Sequence, residues 1–153
     1  MKTISVNRRA RHEFDILESF EGGLVLTGTE IKSIRDGRVN IRDAFGRPDG
    51  GELWLFNAHI SPYSNGNRAN HEPMRPRKVL MHRGQIDYLS SKVQEKGLTL
   101  VPLKLYIKNH RAKIELGLAR GRKLYDKRAA IARRDADRQM QRAILKEAAV
   151  RRS

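Results

Sequence analysis

The stretch that most constrains this chain is residues 98–121, "LTLVPLKLYIKNHRAKIELGLARG", in which apolar side chains recur at every second position on both sides of a short turn. Val101, Leu103, Leu105 and Ile107 precede the "NHR" turn, and Ile114, Leu116 and Leu118 follow it. Successive Cβ atoms of a strand point to opposite faces of a sheet, so this period predicts a β-hairpin with one buried face. One hairpin cannot offset the entropy of ordering its own backbone by burying its own apolar area. Other strands must cover it.

The preceding chain supplies them. "MKTISVNRRARHEF" places Arg8, Arg9 and Arg11 in a short arm running into a first alternation at Phe14, Ile16 and, in phase, Phe20. Glu21-Gly22-Gly23 reads as a turn, after which Leu24, Val25 and Leu26 return as a strand. In "TGTEIKSIRDG" the period changes: Thr27 and Glu30 have capping-box spacing, Ile31 and Ile34 lie three apart, and Gly37 can end the helix. Val39, Ile41 and Phe45 alternate up to the turn cluster "GRPDGGE". "ELWLFNAHI" then reads as a strand buried on more than one face, with Trp54 expected in the core rather than serving as a stacking platform for RNA. Residues 61–78 have no period and carry Arg68, Arg75, Arg77 and Lys78, the signature of a loop reaching toward phosphates. Ile86, Leu89 and Val93 give a second helix, with Gly97 as its C′ residue. About six strands joined by hairpin-length links predict a mainly β fold. Its natural closure is a small antiparallel barrel of the oligonucleotide-binding type, with two or three short helices.

Charge narrows the partner. Among 153 residues, 32 Lys and Arg face 17 Asp and Glu, a net +15, which points to a polyanion and first to nucleic acid. The chain has no Cys, which excludes disulfides and thiolate zinc sites and fits a reducing cytoplasm. No apolar run reaches the length of a membrane span or a signal peptide.

From Arg120 onward the composition is different in kind. Twelve Lys and Arg stand against four acids, with no Gly or Pro after Gly121, and Ala132, Ala136, Met140, Ile144 and Ala148 form only a thin apolar stripe. The sequence therefore divides into a barrel over residues 1–120 and a basic tail over residues 121–153. That tail is expected to be disordered or partly helical when free, and to become a continuous helix in a negatively charged groove.

No constellation for catalysis is present. His12, His59, His71, His82 and His110 lack metal-ligand spacing, no nucleophile elbow surrounds a Ser, and "GLARGRK" lacks the helix of a P-loop. The expectation is a binding protein with no cofactor and no metal, an RNA-processing enzyme being the minority reading.

Five blocks, "NRRARHEF", "FEGGLVLTGTEIKSIRDGRVNI", "NHEPMRPRKVL", "EKGLTLVPLKLYIKN" and "KIELGLARGRKLYDKR", span nearly the whole chain in order. Together they resemble the SsrA-binding protein family, also called small protein B, the partner of transfer-messenger RNA in bacterial ribosome rescue. The resemblance implies an oligonucleotide-binding-like barrel without catalytic activity or cofactor. It also implies binding to the tRNA-like domain of transfer-messenger RNA, and a complex with elongation factor Tu and the stalled ribosome. Asn7, Glu21 and Leu80 match family positions tied to RNA binding, and Arg8, Arg9, Arg11, Lys78 and Lys123 are the phosphate contacts expected nearby. Tyr125, Asp126, Lys127 and Arg128 match the segment leading into the ribosomal decoding region, with Tyr125 where the family often has His. Ile144 and Leu145 stand where the family often shows Ile-Met, consistent with a tail lying in the message channel. The implied protein is a cytoplasmic monomer. The alternative is a ribosomal or ribosome-assembly protein that binds rRNA.

Overall fold

The computed structural model describes residues 1–63, 70–95 and 97–121. In chain order the elements are β1 (Lys2–Val6), α1 (Arg8–Glu13), β2 (Phe14–Leu24), α2 (Gly28–Arg35), β3 (Val39–Asn40), β4 (Phe45–Asp49), β5 (Glu52–Phe56), β6 (His59–Ile60), β7 (Arg77–Leu80), α3 (Arg83–Lys92), β8 (Leu98–Lys108) and β9 (Arg111–Gly121). The expected hairpin is β8 and β9, in antiparallel register from Leu98↔Arg120 to Lys108↔Arg111. Its turn is held by Asn109 and His110, both in the left-handed region at φ 53° and 62°, the backbone of a two-residue hairpin turn whose twist suits the flanking strands.

Strand pairing closes on itself. The order β8-β4-β5-β7-β2-β9 returns to β8 through the β8–β9 ladder, so six antiparallel strands form a ring. β1 lies outside it, on the second half of β8. Such closure removes two exposed sheet edges, and it explains why the hairpin is covered from both sides. Leu53, Leu55, Val79, Leu100, Leu105, Ile114, Leu116 and Leu118 fill the interior, and Ile34, Ile86 and Leu89 of α2 and α3 join them.

The hairpin has two buried faces rather than the one predicted. A bulge between Pro102 and Lys104 reverses the phase of β8, so Leu98 and Leu100 face the interior before it and Leu105 after it. Val101 and Leu103 point outward into a second cluster with Ala10 and Ala119, against which Phe14 and Ile16 pack. α1 caps that cluster. The arm thus contains a strand and a helix where a direct entry into β2 is predicted.

Other expectations also change. Glu21-Gly22-Gly23 is not a turn: β2 runs through it, with Glu21↔Glu115, Gly22↔Ile114 and Gly23↔Lys113 in register. A Cβ at Gly22 would lie 2.4 Å from Val79 Cγ1, so this glycine permits the close approach of β7. Trp54 is half-buried, in register with Arg47 and Lys78, because only Leu53 and Leu55 of its strand turn inward. Gly97 has φ 85° but follows the helix cap at Val93 by four residues, so it belongs to the turn into β8. α2 is as predicted, with both hydrogen bonds of the Thr27–Glu30 capping box present. Residues 122–153, and with them nearly all of the expected tail, lie outside the described residues, as do residues 64–69 of the predicted loop, Arg68 among them.

Candidate RNA-binding surface

The outer face of β2, β9 and β8 carries the residues on which the RNA reading rests. On β2, Glu21 lies opposite Glu115 of β9, which in turn lies opposite Lys104 of β8. Tyr106 reaches across β9, and its hydroxyl donates to Glu21 Oε2. Lys108 Nζ approaches the same oxygen at 3.5 Å. The Tyr106 hydroxyl, with help from Lys108, holds the Glu21 carboxyl below its usual range despite some desolvation. Burial first, and Glu21 second, push the Tyr106 hydroxyl well above the ordinary phenol range. Glu21 is thus an ionised acceptor beside a phenol that stays protonated. Leu80 lies opposite Gly23 and is exposed, an apolar surface next to that acceptor.

Farther along the same face, α1 covers the second cluster. Asn7 caps it by accepting from Ala10 N–H at 3.2 Å, and its Nδ2 donates to the carbonyls of Pro102 at 2.9 Å and Ile41 at 3.3 Å. Its backbone N–H donates to Leu103 O at 2.8 Å. Only 4% exposed, Asn7 spends its polar groups inside the protein and fixes where the arginines of α1 stand. Arg8 and Arg11 are exposed, while Arg9 meets Glu13 at 3.0 Å and Asp43 at 2.9 Å. Two clefts of about 330 and 490 Å³ flank the helix, and Asn7, Arg9 and Arg42 line both.

Glu21, Leu80 and the α1 arginines therefore share one side of the ring. Lys78, two residues before Leu80 on β7 and outward like it because Val79 between them faces the interior, pairs through its Nζ with Glu52 at 2.5 Å on β5, next to Trp54. Lys123, Tyr125, Asp126, Lys127, Arg128, Ile144 and Leu145 lie outside the described residues. Sequence reasoning missed Tyr106, Lys108, Lys113 and Arg42. The first three alternate with Ile107, Ile114 and their neighbours, so the same period of two that marks the buried residues marks them as outward. Arg42 has no such signal, because its loop meets α1 only in the fold.

Two arginines expected to reach phosphates are committed elsewhere. Arg77 is fully buried, donating from Nε to Glu30 Oε2 at 2.7 Å, from Nη1 to Ala58 O at 2.5 Å and from Nη2 to Pro73 O at 3.0 Å. Arg75 donates to Glu30 Oε1 and Oε2 at 2.6 and 3.0 Å. A carboxylate without a second partner at this depth would be costly, and two guanidinium groups meet that need.

Comparison with known proteins identifies the family. The family model described as SmpB protein matches residues 4–146. The SsrA-binding protein of Carboxydothermus hydrogenoformans is 62% identical over 94% of this chain and 96% of the relative. That of Desulforudis audaxviator is 59% identical over 93% of each. A solved structure described as "tmRNA-SmpB: a journey to the center of the bacterial ribosome" superposes with a TM-score of 0.66 at 51% identity, covering 76% of this chain and 82% of that one. A ring of antiparallel strands with this outer face, matched by a family model over nearly its whole length, places the chain in the SmpB protein family of SsrA-binding proteins.

Proposed function

We propose that this protein is an RNA-binding adaptor that grips the tRNA-like domain of transfer-messenger RNA and delivers it to stalled ribosomes for trans-translation. The observation that carries this reading is the shared outer face of β2, β9 and β8. There, an ionised Glu21 stands beside exposed Leu80 and the lysines Lys108 and Lys113, and α1 presents its arginines farther along. Cations position a phosphate backbone without reading it. A carboxylate is repelled by phosphate, so its place on this face is explained by donors it can accept from, a base amino group or a ribose 2′-hydroxyl. Family membership and the ribosomal setting of the related solved structure support the same reading.

In this proposal residues 1–120 hold the RNA, with Lys123 as a further phosphate contact, and the basic tail over residues 121–153, with Tyr125, Asp126, Lys127, Arg128, Ile144 and Leu145, engages the decoding region and message channel. The protein acts in the cytoplasm as a monomer, without a cofactor or chemistry of its own, in a complex that includes elongation factor Tu. Truncation after Gly121 tests the division of labour. In a mobility-shift titration the shortened chain is expected to bind the tRNA-like RNA, and in a reconstituted translation reaction it is expected to fail in tagging. Loss of RNA binding would overturn the assignment of the grip to the barrel; continued tagging would overturn the role of the segment.

A further inference from the structure

We propose that Tyr106 is a positioning residue for RNA recognition: its hydroxyl holds Glu21 Oε2 so that Oε1 is presented as the acceptor for an RNA donor. This rests on the reading that Glu21 meets RNA. The geometry separates the two oxygens of the carboxylate. Tyr106 Oη and Lys108 Nζ both address Oε2, whereas Oε1 has no hydrogen-bond partner among the described residues. Tyr106 is itself fixed, only 3% exposed on β8, with Lys104 Nζ 5.4 Å from the centre of its ring.

Glutamate has several rotatable bonds, and ordering them at the moment of binding would cost affinity. Lysine cannot supply the same aim. Lys108 and Lys113 are flexible cations near the carboxylate, and without the phenol either could draw it away from the RNA. Tyr106 is a neutral donor on a rigid ring, so it orients the carboxylate without neutralising it. The groups that face Glu21 are Tyr106 and Lys108 of β8 and Lys113 of β9, with Glu115 of β9 acting on Tyr106.

The test is a double-mutant cycle on the full-length chain with the tRNA-like RNA, using Tyr106→Phe, Glu21→Gln and the pair. Phe keeps the buried ring, and thermal melting checks that each variant is folded. Each single change is expected to weaken binding about tenfold, the size of one hydrogen bond to a charged group, and the pair to be no weaker than Glu21→Gln within about twofold. Carbon-13 NMR titration of the free protein gives a second readout: in Tyr106→Phe the Glu21 carboxyl is expected to titrate at higher pH. Wild-type affinity in Tyr106→Phe, or losses that simply add in the pair, would overturn the positioning role while leaving Glu21 as an RNA contact. Wild-type affinity in Glu21→Gln would overturn the RNA contact itself.

Discussion

Glu30 ties three parts of the chain together: it closes the capping box of α2, receives Arg75 from the segment leading into β7, and receives Arg77 from β7 itself. Burial pushes its carboxyl up, but Arg75, the Thr27 N–H and Arg77 outweigh burial and hold it below the usual carboxylate range. Arg77→Ala removes one side of a fully buried pair and strands the carbonyls of Ala58 and Pro73, so a loss of about 3–5 kcal/mol is expected in urea unfolding. The pH dependence follows from the depressed value. Stability from Glu30 is fully present above about pH 4.3, where the unfolded carboxyl is ionised, and is lost as pH falls through the lower folded value. Glu30→Gln should therefore be much less stable than the parent at pH 7, and the gap should narrow below pH 4; a gap that widens in acid would refute the ion pair as its source. This pair also shows why Arg75 and Arg77 read as phosphate ligands in the sequence: composition gives their charge, while their partner lies 45 and 47 residues away.

At the scale of elements, β2 shows how one strand serves both inside and outside. Gly22 faces the interior and Gly23 the outer surface, where an added Cβ would lie 3.7 Å from Lys113 Nζ and 3.8 Å from Leu80 Cβ, ordinary contact distances. Gly22→Ala instead forces a carbon against buried Val79 and, at 3.2 Å, against the carbonyl of Leu80. Gly22→Ala is expected to cost about 1–3 kcal/mol by overpacking. Gly23→Ala should be neutral or stabilising by up to about 1 kcal/mol, since alanine narrows the unfolded ensemble. Urea midpoints of the two variants decide the matter, and equal destabilisation would contradict the assigned facing of β2. What was legible in the sequence was local: the period of two in β8 and β9, and the capping box of α2. The bulge at Leu103 was not, because it serves distant partners, β1 on one half of β8 and β4 on the other. α1 was hidden for the same reason, since its cap Asn7 is oriented by Pro102 and Ile41, 95 and 34 residues away. Of the candidate site, Glu21 and Leu80 came from family resemblance, while for Tyr106 the period of two gives only its outward facing, since a Tyr between apolar residues gives no sign of the carboxylate across β9.

For the whole molecule, charge is shared evenly between very unequal lengths. Residues 1–121 carry 21 Lys and Arg against 13 Asp and Glu, and residues 122–153 carry 11 against 4, so the net +15 divides into +8 and +7. If the tRNA-like RNA touches only the face of β2, β9 and β8 with α1, the cations it neutralises belong to the first group, Arg8, Arg9, Arg42, Lys108 and Lys113 among them. Each phosphate neutralised contributes about 0.9 to the slope of log affinity against log salt, which predicts a slope of about −3 to −5 for that RNA alone. The slope should be the same within about one unit for the full chain and for the chain truncated after Gly121. On stalled ribosomes the full chain should show a slope steeper by several units, as the second group meets ribosomal RNA. A truncation that flattens the slope by several units on the isolated RNA would instead assign part of the grip to residues 122–153. Measuring both slopes thus locates the second half of the charge by the RNA it neutralises, which affinity at one salt concentration cannot do because the two groups contribute in the same direction.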